Sequence, residues 1–64
     1  MEARLRKTGE SRYEVLGDGG ETIGQVWSWH GSWAAQVGYE TYHGHKSRKQ
    51  AVARVEQIHE LKGR

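Results

Sequence analysis

The chain has no cysteine. No disulfide can brace it and no thiolate metal site can form, so a reducing, cytoplasmic setting is expected. No apolar run approaches membrane-spanning length, and the polar N-terminus does not read as a signal peptide. Apolar residues are scarce, at 34% of 64 residues. So short a chain makes one domain, near the lower size limit for folding alone. Few hydrophobic side chains can be spared from its core. Catalytic signatures are also missing. Ser11, Ser28, Ser32 and Ser47 have no nucleophile-elbow context. "GDGGETIG" (17–24) lacks the third glycine of a dinucleotide fingerprint at its spacing, and it lacks the lysine of a phosphate loop. Neither an enzyme nor a cofactor is expected.

What is present is unevenly spread. Residues 1–12 carry Arg4, Arg6, Lys7 and Arg12 against Glu2 and Glu10, a net charge of +2. Residues 13–42 hold Glu14, Asp18, Glu21 and Glu40 with no lysine or arginine, a net charge of −4. Residues 43–54 reverse this with Lys46, Arg48, Lys49, Arg54 and no acid, giving +4. Basic charge gathered in two stretches suits either a polyanion partner or a solvated helix face. All three tryptophans lie within "GQVWSWHGSWAAQVGYE" (24–40).

Residues 1–11 show no clear period and read as a flexible arm, or a short helical turn at most, ahead of a single domain over 12–64. "RYEVL" (12–16) alternates as a first strand. "GDGG" (17–20) is a turn signal, because tight hairpins need positive φ. "ETIGQVWSWH" (21–30) reads as a second strand. Ile23, Gln25, Trp27 and Trp29 share one parity and Gly24, Val26 and Ser28 the other. Neither parity is cleanly apolar, which points to a bulge or twist near Gly24. After a turn at 30–32, "SWAAQVGY" (32–39) is the clearest strand, with Trp33, Ala35, Val37 and Tyr39 on one face. "ETYHGHK" (40–46) reads as a loop, with a short strand continuation through Tyr42 as its alternative.

Ser47 fits a helix N-cap. "RKQAVARVEQIHELK" (48–62) follows, with Ala51, Val52, Val55, Ile58 and His59 on one face, Leu61 at its edge, and Gly63 as a stop. The expected fold is therefore α+β: a three-stranded antiparallel β-meander packed against one C-terminal α-helix. Trp33, Ala35 and Val37 should face Val52, Val55 and Ile58. Trp27 and Trp29 fall on one face together. If that face is inside, the helix covers two indoles; if outside, the protein shows an aromatic pair to solvent.

Without cysteine, a zinc site needs His30, His43 and His45 with a carboxylate such as Glu40. The plainer reading is exposed loop histidines, or a histidine beside a phosphate, and no metal. "HGHKSRKQAVAR" (43–54) is more suggestive. It sets Lys46, Arg48 and Lys49 around a helix N-terminus, where unbonded N–H groups already attract phosphate. Positive side chains oppose the helix dipole there, a local conflict of the kind found at functional sites.

Three resemblances follow. The order strand, strand, strand, helix, with "GSWAAQV" (31–37) on the third strand, resembles the plant ethylene-response-factor DNA-binding domain and the arm-type DNA-binding domains of tyrosine integrases. This implies a sheet that enters the major groove, with a supporting helix behind and arginines on the exposed sheet face. Over 13–42 the groups available for base contact are Gln25, Gln36, Ser28 and the tryptophans. "GHKSRKQAVA" (44–53) resembles the last helix of double-stranded RNA-binding domains, which implies phosphate contacts from Lys46, Arg48 and Lys49. A tryptophan–alanine–valine strand followed by a Ser-capped "RKQAV" helix is similar to small orphan proteins of phages and actinobacteria. That similarity implies an accessory protein that binds and blocks a host protein.

The expected function is thus a small, non-enzymatic nucleic-acid-binding protein, accessory or regulatory, with DNA favoured over RNA and a phage origin among the expectations. Arg4, Arg6, Lys7, Lys46, Arg48, Lys49 and Arg54 are the candidate phosphate contacts, and Trp27 and Trp29 the candidate aromatic contacts. The alternative is a protein-interaction module using the tryptophan-rich sheet. A homodimer through an open sheet edge is a further expectation, and no membrane partner is expected.

Overall fold

A computed structural model describes residues 4–62, with the backbone alone at Arg4. The expected stop at Gly63 lies outside the described residues, as do residues 1–3. Over the described residues the chain forms five strands and one helix: β1 (Arg4–Gly9), β2 (Arg12–Leu16), β3 (Thr22–Trp29), β4 (Ser32–Val37), β5 (Glu40–His45) and α1 (Arg48–Lys62). The strands make one antiparallel meander in chain order. The class is α+β with a C-terminal helix, as expected, but the sheet has five strands rather than three.

Both extra strands come from stretches with weak alternation. β1 offers only Leu5 to the core; its other side chains are polar or charged, as suits an edge strand. Leu5 sits opposite Val15, and Arg6 opposite Glu14. β5 is interrupted. Between the pairs Ala35–Tyr42 and Trp33–His45, β5 uses one residue more than β4. Gly44 takes a φ of 84° there, as a bulge requires. Strict alternation would send Tyr42 and His45 to opposite faces. The extra residue lets Tyr42 pack on the core while His45 is also buried.

The core consists of Val15, Val26, Ala35 and Val37 from the sheet and Ala51, Val52, Val55 and Ile58 from the helix. Leu5, Tyr13, Ile23, Trp33 and Tyr42 pack around it. The expected facing of Trp33, Ala35 and Val37 on Val52, Val55 and Ile58 is found, with Trp33 half-buried at the margin. The bulge near Gly24 is found too, as a register shift between the pairs Val15–Gly24 and Leu16–Thr22. At Gly24 the helix packs directly against the sheet backbone. An added Cβ would lie 2.5 Å from a Val55 methyl and 2.8 Å from the Gln36 carbonyl oxygen.

Turn chemistry fixes the register of the central hairpin. Trp29 pairs with Ser32 across a loop of His30 and Gly31, with φ of 48° and 81°. Positive φ at both central positions matches the right-handed twist of the strands. β4 ends at Val37, so Tyr39 lies in the next turn, fully exposed, and not on the core face. The helix start is capped as expected: the Gln50 N–H donates to Ser47 Oγ at 3.2 Å. The Gln50 side chain reaches back to accept from the Lys46 N–H at 3.0 Å. His59 and Leu61, expected on or beside the apolar face, are exposed.

Candidate nucleic-acid interface

Because Val26 and Gly24 face the helix, alternation turns Gln25, Trp27 and Trp29 to the other side of the sheet. No element among the described residues packs there. The tryptophan pair is therefore outside the core, on an uncovered face. Trp27 is half-buried and Trp29 is 52% exposed. Trp27 stands opposite Ala34 on β4 and opposite Arg12 on β2. The Arg12 guanidinium lies over its ring, 5.6 Å from the centroid. Trp29 meets His30 edge to face, with centroids 4.6 Å apart.

The five-stranded sheet changes what this face carries. The expected sheet, which starts at Arg12, carries that cation alone. β1 adds Arg6. Arg6 pairs with Glu14, Nη2 to Oε2 at 2.6 Å. Thr22 Oγ1 donates to the same oxygen at 2.8 Å. These two hydrogen bonds, the guanidinium's first, hold the Glu14 carboxyl below the usual carboxylate range. Its charge is thus already matched within the face. Arg12 has no ion pair among the described residues, so its charge remains to attract an anion. Arg12 falls in the expected first strand (12–16), on the parity opposite Tyr13 and Val15; its seat over Trp27 follows from the pairing of β2 with β3.

The meander also sorts charge by end. The β2–β3 turn carries Asp18 and Glu21, and the β4–β5 turn ends at Glu40. These turns share one end of the sheet. The other end holds the β1–β2 and β3–β4 turns, the end of β5 and the start of α1. Lys7, Arg12, Lys46, Arg48 and Lys49 lie toward that second end, as do Trp27, Trp29 and His30, with Glu10 the acid of the β1–β2 turn; Arg12 is on the uncovered side with Trp27, whereas Lys7 and Arg48 are on the helix side with Tyr13. Lys46 and Lys49 are exposed. Lys7 is exposed and opposite Tyr13. The Arg48 guanidinium lies over the Tyr13 ring at 4.8 Å, a side-chain reach from the helix start to β2.

Three candidates fall outside this group: Arg6, paired with Glu14, and Arg4 and Arg54. Arg4 stands opposite Leu16, at the acidic end. Arg54 is two turns along the helix, about 9 Å from Arg48, over the Tyr42 ring at 5.8 Å. Among the described residues no three histidines or carboxylates converge as metal ligands. The reading of His45 as an exposed loop histidine is corrected. It is buried, with Nδ1 donating to the Trp33 carbonyl at 3.0 Å. The bulge at Gly44 turns it inward. His30 and His43 are exposed.

The sheet edges bear on self-association. β1 presents arginine and lysine along one edge, and the Gly44 bulge bends the other. Both features oppose edge-to-edge pairing. No helix among the described residues is long and apolar enough to cross a membrane. Compared with protein-family models, with curated proteins and with solved structures, the chain matches none.

Proposed function

We propose that the chain is a small, non-enzymatic DNA-binding protein that uses the uncovered sheet face and the basic end beside it. The observation that carries this is Arg12 stacked on Trp27 on the uncovered face, toward the end of the sheet where Lys46, Arg48 and Lys49 open the helix behind it, with Asp18, Glu21 and Glu40 toward the opposite end. A duplex major groove admits β-strands that present side chains to base edges, and β3 with β4 are the two central strands of the uncovered face. Cations at the rim would meet phosphates, the term that dominates affinity and its salt dependence.

The test is titration of a fluorescent duplex DNA at about 50 and 200 mM salt, with a duplex RNA beside it. Micromolar binding that weakens steeply with salt is expected, stronger for DNA. Lys46→Ala with Lys49→Ala should weaken binding to all sequences and reduce the salt slope by about 2. Absence of binding at low salt would overturn the proposal. Preference for RNA would redirect it to the helix start alone.

The exposure of Trp29 supports a second reading, a protein partner held through the tryptophan face, as in a phage-type inhibitor. Half-exposed tryptophan is a common anchor in protein interfaces. On that reading Trp29→Ala abolishes binding of the protein partner while Lys46 and Lys49 substitutions change it little.

A further inference from the structure

The two central strands place Gln25 and Gln36 directly opposite each other on the uncovered face. Their row runs across the sheet, with Glu14 opposite Gln25 and Thr41 opposite Gln36. Glu14 is already engaged by Arg6 and Thr22. The Gln25 amide makes no hydrogen bond among the described residues. Gln36 makes one long bond, from Nε2 to the Gly38 carbonyl at 3.4 Å. The middle of the face therefore shows two amides with unused donors and acceptors.

A side-chain amide offers a donor and an acceptor side by side. Adenine offers the complement in the major groove, an N7 acceptor and an N6 donor, whereas guanine offers two acceptors. We infer that Gln25, with Gln36 beside it, reads adenine in the major groove of duplex DNA. This rests on the DNA-binding reading above and adds to it a sequence preference and the residues that set it. Cross-strand partners stand about 5 Å apart at Cβ, and successive bases are about 3.4 Å apart. The two amides can thus address neighbouring base pairs. Arg12, in the adjoining row and stacked on Trp27, lies toward the basic end, where phosphate contact is expected.

The experiment measures fluorescence anisotropy of the full chain with three duplexes. One is A·T-rich, one is G·C-rich, and one is the A·T-rich duplex with 7-deazaadenine, which removes the N7 acceptor. The unmodified protein should bind the A·T-rich duplex about tenfold more tightly than the G·C-rich one. The 7-deazaadenine duplex should lose that advantage. Gln25→Ala with Gln36→Ala should bind all three alike, with the salt slope unchanged. The inference is overturned if the unmodified protein binds the adenine and 7-deazaadenine duplexes equally, a result that needs no variant to fold. It is also overturned if the double variant keeps the preference. Failure to bind any duplex at low salt overturns the DNA-binding reading itself, a distinct outcome.

Discussion

The guanidinium of Arg48 lies 4.8 Å from the centroid of the Tyr13 ring, so the side chain of the helix's first residue reaches across to the second strand. Tyr13 is in turn tilted against Trp33, centroid to centroid 6.3 Å. The cation at the helix start thus has a packing role that its neighbour Lys49 lacks. Arg48→Ala is expected to lower stability by about 0.5–2 kcal/mol. Lys49→Ala should stay within about 0.5 kcal/mol of the parent. Urea denaturation of the two variants checks this. Equal midpoints would show that the stacking contributes nothing. In DNA titrations Lys49→Ala is the cleaner probe of phosphate contact, because its effect is not mixed with a loss of packing.

The two outer tryptophans should differ from each other. Ala34 is fully buried yet lies outside the core cluster. Its cross-strand partner on the uncovered face is Trp27. Trp27 also carries the Arg12 guanidinium, so its removal exposes Ala34 and leaves that cation unstacked. Trp27→Ala is expected to cost about 2 kcal/mol, below the usual range for a core aromatic. Trp29→Ala should cost about half as much, since its ring is half in solvent. Thermal or urea melts of both variants decide the point. Losses above about 3 kcal/mol for both would mean that the face is covered in solution.

The central hairpin, the helix, its Ser47 cap and the core pairing of strand to helix were legible because each has a strong local signal. Gly-containing turns, a single apolar parity and a helical stripe are all read without knowing the tertiary partners. β1 and β5 were not legible in that way. β1 has one core side chain, Leu5, and owes its strand form to pairing with β2. β5 hides its period behind the bulge at Gly44. The site inherits the same division. Lys46, Arg48 and Lys49 were visible as a charge cluster at a helix start. That Arg6 lies on the same face as Gln25 and Trp27 depends on the added strand β1, which no local pattern records.

Gly24 is a close-contact glycine rather than a turn glycine. Its missing side chain leaves room for Val55 on one side and the Gln36 carbonyl on the other. A methyl can push the valine, but the carbonyl is held in the ladder between β3 and β4. Gly24→Ala should therefore destabilise by about 1–3 kcal/mol through overpacking. Pairing it with Val55→Ala should recover only part of the loss, because the backbone contact at 2.8 Å remains. Denaturation of the single and double variants checks this, and full recovery would place the whole clash on Val55.

Two carboxylates and a phenol set the expected response to pH. Hydrogen bonds from Arg6 and then Thr22 lower the pKa of Glu14. The Tyr42 hydroxyl, followed by the charge of Lys62, lowers that of Glu40. A carboxylate with a depressed folded-state pKa adds stability above its unfolded pKa and loses it as pH falls through the folded value. Stability should therefore decline below the ordinary carboxylate value of 4.5. Glu14→Gln should flatten part of that decline, and Glu40→Gln another part. Tyr42 responds at the opposite extreme. Its hydrogen bond to Glu40, reinforced by burial, raises its pKa. Its contribution is present below the ordinary phenol value of 10.0 and is lost as pH rises through the higher folded value. Tyr42→Phe should remove that alkaline decline and also weaken the acid response of Glu40, because one hydrogen bond serves both. Urea midpoints measured across the acid and alkaline ranges test the coupling. A Tyr42→Phe variant that keeps the parent's acid response would show that Lys62, and not the phenol, sets the ionisation of Glu40.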